Sequence, residues 1–411
     1  MPLLLLRPGM VLIWQLLVLI AISLWLVSPL AALSPAVLVG PDLESENVTL
    51  TSLHNDIVSY FDAQRSLKRQ SVDWFVQLRL ASESADIDRP IALIQLTDGQ
   101  RLAGRFVGPA GEGTALRWEH QELGTVDIDL EDVIALARTG MVRDWWSMSQ
   151  PPASDTVRLT NGDQIDGYVA RVSNDGLIIN PVDHSGEVAL PLDRIDIVRL
   201  ANNPRPAPSN VQRLWLTDGT QLLTDAVEIE SSAVRFNTEL FGSPDSEVEM
   251  PLSKLRRIDF IASGLRLQEL ADIRMDVLWT DHTDAFALNL PPVVSADQIH
   301  LHAPIEVSFT VPIHTKRFAA TAELAVQNIP VQFLDWADFE LIITSGAGDE
   351  YRYRLHAGQK QVLINIPVRD GWLRVRLDPG VNGPILDRLL LRDAILLIDR
   401  SGEDAQEQVT N

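Results

Sequence analysis

A five-residue phrase occurs three times in this chain. Gln95-Leu96-Thr97-Asp98-Gly99 returns as Arg158-Leu159-Thr160-Asn161-Gly162 and again as Trp215-Leu216-Thr217-Asp218-Gly219. The turns are 63 and 57 residues apart, and each is followed by a Leu-x-x-aliphatic step: Leu130 to Val133, Leu192 to Ile195 and Leu252 to Leu255. From turn to leucine the intervals are 31, 30 and 33 residues, so the units are regular and the linkers vary. Self-similarity at a fixed period marks a supersecondary unit that was duplicated.

The second copy shows the plan of the unit. Val157-Arg158-Leu159 alternates apolar and polar, and Asn161-Gly162 supplies the positive-φ residues of a tight hairpin. Ile165, Tyr168 and Val169 lie on the returning strand, and Gly167 within it predicts a bulge or positive-φ bend. Asn174-Asp175-Gly176 makes the next turn, Leu177 to Ile179 a third strand and Glu187 to Leu192 a fourth. Leu192 and Ile195 are spaced as one turn of 3₁₀ helix, and Ile197, Val198 and Leu200 close the unit. Five short strands with one helical turn before the last predict a small SH3-like barrel. The all-β expectation is therefore three tandem barrels over 91–138, 155–201 and 211–262, the third with Thr224 at the bend. A partial or degenerate repeat over 45–82 precedes them, without a recognisable Asp-Gly hairpin. The acidic turns read as hairpins rather than calcium loops, because calcium needs six or more converging oxygens and each turn offers one or two.

The 411 residues carry a net charge of −22, which argues against a nucleic-acid partner, since phosphate binding draws on clustered Lys and Arg. The absence of cysteine removes disulfides, zinc-thiolate sites and thiol chemistry. Met10 to Ala32 is nearly continuous apolar sequence, with Ser34-Pro35-Ala36 after it as a small-x-Ala step. Residues 1–36 thus read as a signal peptide or, uncleaved, as a membrane anchor. Either way the chain is expected to be exported, to the periplasm, cell surface or medium, or held at the inner membrane. Membrane contact is expected only through that segment. Residues 401–411 read as a disordered tail.

Two linkers separate the barrels. Ala201 to Asn210 is a stiff Pro-rich spacer. The other holds Trp145-Trp146, which reads as an exposed interaction patch or as a plug folded back onto a barrel end.

Over 265–400 longer alternating strands appear, at least seven of them, and predict an antiparallel jelly-roll β-sandwich. Within it, Ala296 to Phe309 (ADQIHLHAPIEVSF), Lys316-Arg317-Phe318-Ala319-Ala320, Gly371 to Asp378 (GWLRVRLD) and the loop bearing Asn382-Gly383 and Asp387 carry a family pattern. So does Asp276 to Asp281 (DVLWTD) ahead of them. Together they resemble the NPCBM carbohydrate-binding modules of the galactose-binding-like fold. The likeness covers residues from about 270 to 400. The family's glycines before its histidine are replaced by Asp297 and Ile299, and Ala303 stands for its serine. Strands are retained more than loops, so the resemblance implies the fold more firmly than the ligand. The barrel repeats ahead of such a module resemble repetitive bacterial envelope proteins.

Trp336, between Asp335 and Asp338, is a loop tryptophan on which a sugar ring can stack while carboxylates accept from its hydroxyls. Asp378, Asn382 and Asp387 can line the same end or can simply serve turn chemistry. His302 stands at the family's histidine position, and the resemblance makes it structural or close to the ligand. His300 and His302 share a strand face but lack a third ligand, so no metal and no cofactor are expected. No serine elbow, zinc-protease helix or phosphate loop is present. The chain therefore reads as a non-enzymatic binding protein whose partner is a polysaccharide or an envelope protein. A purely structural interaction module and a divergent glycan hydrolase are the alternatives.

Overall fold

A computed structural model describes residues 34–399 apart from 81–91, 139–150, 185, 206–210, 239, 241–246, 261–263, 279–289, 296–297, 327–329, 347 and 370. The Trp145-Trp146 patch and the tail 401–411 lie outside these residues, as does Trp279. Among the described residues the regular structure is strand and short 3₁₀ turns, with no helix long and apolar enough to cross a membrane.

Four units of one plan precede the sandwich. In the third, Asp155–Leu159 pairs with Gln164–Ser173, that strand with Gly176–Pro181, and that one with Val188–Pro191. A 3₁₀ turn, Leu192–Arg194, leads to Ile195–Arg199, which returns to pair with Asp155–Leu159. This is the five-strand plan expected of an SH3-like unit. Closure is the difference: among the described residues no ladder joins the fourth strand to the fifth, so each unit is a curled open sheet rather than a closed barrel. The fifth strands are engaged elsewhere. Val133–Ala137 of the second unit pairs antiparallel with Ile195–Arg199 of the third. Gln77–Leu80 of the first pairs likewise with Leu255–Asp259 of the fourth. Edges left by the open units are thus used to join them, and one continuous apolar core runs through all four.

The first unit is complete, not partial. Its first strand is Ser34–Val39, which pairs with both Ser45–His54 and Gln77–Leu80. The strand crosses position 36, so a cut after Ala36 would remove half of it. In place of an Asp-Gly turn stands Gly40–Glu44, with Leu43 at φ 61° and the Asp42 carboxylate accepting the Glu44 N–H. In the fourth unit the long second strand is split into Gln221–Thr224 and Val227–Glu230. The Thr224 hydroxyl bonds to both the carbonyl and the N–H of Ala226, which takes those groups out of the ladder.

Gly167 lacks a positive φ, one of the two features expected of it. A Cβ there would lie 2.4 Å from the Asn180 carbonyl oxygen, so glycine is needed for close approach of the neighbouring strand. The register shift comes after it, between Val169 and Arg171. The Pro-rich spacer is strapped to the second unit: Arg205 donates its N–H to Thr97 and pairs with Asp132, and Asn202 donates to the carbonyls of Leu130 and Val133.

The sandwich packs two antiparallel sheets around its own core. One contains Val293–Ser295, Gln298–His302, Arg388–Asp399, Thr315–Leu324 and Gln361–Pro367 in that order, with Leu265–Glu269 along Arg388–Asp399. The other contains Met275–Leu278, Ile305–Thr310, Trp372–Pro379, Asp338–Ser345 and Glu350–His356. The sandwich docks on the repeats through its first sheet, where Leu267, Ile395 and Leu397 meet Val39, Leu43 and Val76. Ion pairs flank that patch with one polarity. The repeats supply Arg79, Arg101, Arg256 and Arg257, and the sandwich supplies Asp393, Asp272 and Glu269. In a chain with a large excess of acid, this arginine face orients the sandwich.

Candidate functional site

One end of the sandwich gathers most of the residues singled out in its loops. After Pro330, Val331–Trp336 forms a 3₁₀ segment. Three residues per turn bring side chains at i and i+3 to one side. Phe333 and Trp336 therefore meet edge to face, with ring centroids 5.8 Å apart at 74°. Both are exposed, Trp336 at 52% and Phe333 at 41%. The neighbouring loop, Gly380–Asp387, brings Val381 and Ile385 to the surface, at 85% and 50% exposure. Asn382 ties the two loops by donating to the Asp335 carbonyl at 3.1 Å. The exposed surface of these two loops is thus aromatic and aliphatic, with Asp335 also exposed and the Asn382 amide at the tie between them.

Glycine is required at two points of the second loop. Gly383 has φ 79° at the turn, and a Cβ on Gly380 would fall 1.7 Å from the Asp338 carbonyl oxygen. The loop is therefore pressed against the start of strand Asp338–Ser345.

Asp338, Asp387 and His302 lie beneath this face rather than on it. The Arg354 guanidinium holds Asp338 bidentately at 2.9 and 2.7 Å and draws its carboxyl below the usual range. Asp387 is fully buried, and its carboxylate accepts the N–H groups of Asp338 at 2.9 Å and Gly380 at 3.1 Å. Burial is the main influence on that carboxyl and pushes it up to about 6, against the two hydrogen bonds. His302 is buried, and burial lowers its pKa, so the imidazole is held neutral. Its Nε2 donates to the Ile385 carbonyl at 3.3 Å. These three residues therefore shape the loops instead of offering ligand atoms at the surface. Asp378 is engaged with Arg376 at 2.7 Å. Phe333, Val381 and Ile385 were missed by the sequence reading. Only Phe333 had a signal, its spacing of three from Trp336 after a proline.

A second constellation, His120, Asp218 and Thr220, has the residue types of a nucleophile set but a different chemistry. His120 Nδ1 accepts the N–H groups of Glu122 and Leu123, so Nε2 carries the proton, 3.0 Å from Asp218 and 2.8 Å from the Thr220 hydroxyl. Thr220 is fully buried and already accepts the Ala103 N–H. The group is a tie between two units. Among the described residues no cluster of His, Asp and Glu is arranged to hold a metal ion.

No protein-family model matches the chain, and no curated protein matches it. Among solved structures it is similar to the CBM51 module of Clostridium perfringens GH95, in complex with methyl-galactose. The identity there is 13% and the TM-score 0.25, over 32% of this chain and 99% of that one. It is also similar to the CBM51-2 and INT domains of Clostridium perfringens ZmpB, in complex with GlcNAc, at 13% and 0.26, over 49% of this chain and 45% of that one. The tandem CBM51 modules of Sp3GH98 from Streptococcus pneumoniae match at 9% and 0.25, over 88% of each chain. At these TM-scores the likenesses carry no weight for a ligand.

Proposed function

We propose that this protein is a non-enzymatic, exported binding protein whose sandwich end takes carbohydrate. The observation that carries the reading is the exposed Phe333–Trp336 pair on a loop that the Asn382 amide ties to its neighbour through the Asp335 carbonyl. A pyranose presents an apolar C–H face and a rim of hydroxyls. Stacked on the indole, it buries aromatic surface while its hydroxyls meet the amide and carboxylate. The aliphatic side chains of Val381 and Ile385 extend the apolar floor. Asp338 and Asp387 do not form a hydrolytic couple in this reading. One is committed to Arg354, and the other lies under main-chain amides.

The open repeats then act as a rigid stalk, since the arginine face fixes the sandwich upon them. Export is drawn from the apolar run Met10 to Ala32 and places the partner among envelope polysaccharides. A glycan array with the full chain and its Trp336→Ala variant tests the proposal. Binding by wild type that disappears in the variant supports it. No binding to any polysaccharide on a broad envelope panel would leave a protein-interaction scaffold as the better reading.

A further inference from the structure

A cleft of about 330 Å³ lies between the first unit and the sandwich, and it shares no lining residue with the Phe333–Trp336 end. Its floor is apolar, where Val39 and Leu43 of the first hairpin face Ala319 and Ile395 of the first sheet. Thr321 and Leu363, a cross-strand pair, form one lip, and Glu44 and Ser45 form the other. Two ties across the junction fix the walls. Asn365 donates to the Asp42 carbonyl at 3.1 Å, and Arg79 donates to Asp393 at 3.3 Å.

A bulge aims Asp393 into this cleft. Leu389 and Leu391 of its strand face the core, and so do Ala394, Leu396 and Ile398, so the alternation slips by one residue between the two sets. The register against Thr315–Leu324 shifts at the same place, between Ala319 and Thr321, and Asp393 takes φ 47°. Arg392 and Asp393 therefore both face outward. The ion pairs of Asp393 are loose. Arg79 stands 3.3 Å away and Arg256 3.4 Å, against 2.6 Å for Arg257–Glu269 and 2.7 Å for Arg101–Asp272 at the same junction. Charge-assisted bonds ordinarily close to about 2.7–2.9 Å, so the Asp393 carboxylate and the Arg79 guanidinium keep bonding capacity for a third group. Burial raises the Asp393 carboxyl, but Arg79, Arg256, Arg257 and Arg392 outweigh it and hold it below the usual carboxylate range.

We propose that this cleft binds a single neutral polyol ring, either a free monosaccharide or one sugar residue of a chain. Charge balance favours a neutral ligand. Arg257 is committed to Asp259 and Glu269, and Arg392 to Glu323, which leaves Arg79 and Arg256 facing Asp393, with Glu44 at the mouth. Size favours one ring, because small-molecule pockets begin near about 300 Å³. Hydroxyls both donate and accept, so a vicinal pair can donate to Asp393 and accept from Arg79, with the Thr321 and Ser45 hydroxyls at the lips. The C–H face of the ring then lies on Ala319, Ile395 and Leu363, the last of them 73% exposed. This adds a second site of the same ligand chemistry to the proposed function and does not depend on the sandwich end.

Isoleucine methyls read the two sites separately, because Ile395 lines the cleft and Ile385 lies exposed at the sandwich end. Full-length protein with 13C-labelled isoleucine δ1 methyls is assigned with Ile395→Leu and Ile385→Leu. Glucose, galactose, myo-inositol and dextran are then titrated in, the small polyols to roughly 50 mM, beyond the millimolar dissociation constant expected of one ring. Saturable movement of Ile395 is expected, retained in Trp336→Ala and weakened about tenfold or more in Thr321→Phe, whose ring fills the cleft. Asp393→Asn, which tolerates the same positive φ but removes the charged acceptor, should weaken it too, and thermal melts show which variants are folded. Response to the small polyols assigns the cleft to free sugars, and response to dextran alone assigns it to a residue within a chain. No movement of Ile395 with any polyol, movement undiminished in folded Thr321→Phe, or movement only with acetate or ethylammonium overturns the proposal. Movement of Ile385 alone would sink this site and leave the sandwich-end reading standing, so the two fail separately.

Discussion

Gln100 and Thr220 occupy the same position of two repeats, and each side chain accepts a main-chain N–H from the other's strand. The Gln100 Oε1 accepts from Leu223 at 3.0 Å, and the Thr220 hydroxyl accepts from Ala103 at 3.0 Å. Ala103 and Leu223 are themselves equivalent, and between them Arg101 pairs with Gln221 in the sheet. The second and fourth units therefore meet about a local two-fold axis. Duplication makes such a contact self-complementary: a surface that fits one copy is already present on the other.

Thr220→Val should destabilise the repeats by about 1–3 kcal/mol, because the Ala103 N–H loses its buried acceptor and the His120 proton is left with Asp218 alone. Denaturant unfolding of the full chain measures it. Trp336 lies on the distant sandwich, so saccharide binding should be unchanged.

Gly167→Ala should cost more than about 1 kcal/mol, although Gly167 has no positive φ in the chain. The added Cβ would meet the Asn180 carbonyl at 2.4 Å, and a backbone oxygen cannot swing aside as a side chain can. Thermal melting decides this. An unchanged Tm would mean that the two strands separate at no cost.

Glu269→Ala should cost about 3–5 kcal/mol, far more than an exposed carboxylate would. Arg257 is buried between Asp259 at 2.9 Å and Glu269 at 2.6 Å, with its guanidinium 4.2 Å from the Trp215 ring. Burial pushes the Glu269 carboxyl upward while Arg257 opposes it. Removing the carboxyl leaves that buried cation with Asp259 alone at the junction of repeats and sandwich. Glu269→Gln keeps the shape and a hydrogen-bond acceptor and should cost less. Equal losses for the two variants would place the effect in charge rather than shape.

Trp372→Ala should be mild, contrary to what its place at the head of an alternating strand implies. Leu373, Val375 and Leu377 face the core, whereas Trp372 shares the other face with Arg374, whose guanidinium lies 4.8 Å from the ring. Leu373→Ala should instead cost about 2–5 kcal/mol through the cavity it leaves. Paired melts of the two variants separate the faces.

Strand positions were legible because side chains alternate with period two and turns demand Asn, Asp and Gly. Partner choice was not. Nothing in Val133 to Ala137 or Ile195 to Arg199 says that the two pair with each other instead of closing their own units. The first unit was obscured because strand Ser34–Val39 adjoins an apolar run and its turn places Leu43, not glycine, in the left-handed region. At the sandwich end, Trp336 and Asn382 were readable as exposed loop residues. Asp338, Asp387 and His302 were readable as residue types but not as supports, since burial depends on how the two loops fold over each other. Trp372 shows a further limit of the pattern. Alternation fixes which residues share a face, but a tryptophan on the arginine-bearing face is partly covered and mimics the core pattern.

The central claim is that the Phe333–Trp336 face binds a saccharide, and the most direct measurement is on the Trp336 indole itself. The Nε1–H signal in an 15N-tryptophan spectrum of the full chain is assigned by its loss in Trp336→Phe. Polysaccharides that score on the array are then titrated in. Saturable movement of that signal is predicted, with the other tryptophans still and with affinity falling about tenfold or more in Trp336→Ala. A polysaccharide that binds while the Trp336 signal stays fixed, or that binds Trp336→Ala undiminished, would contradict it.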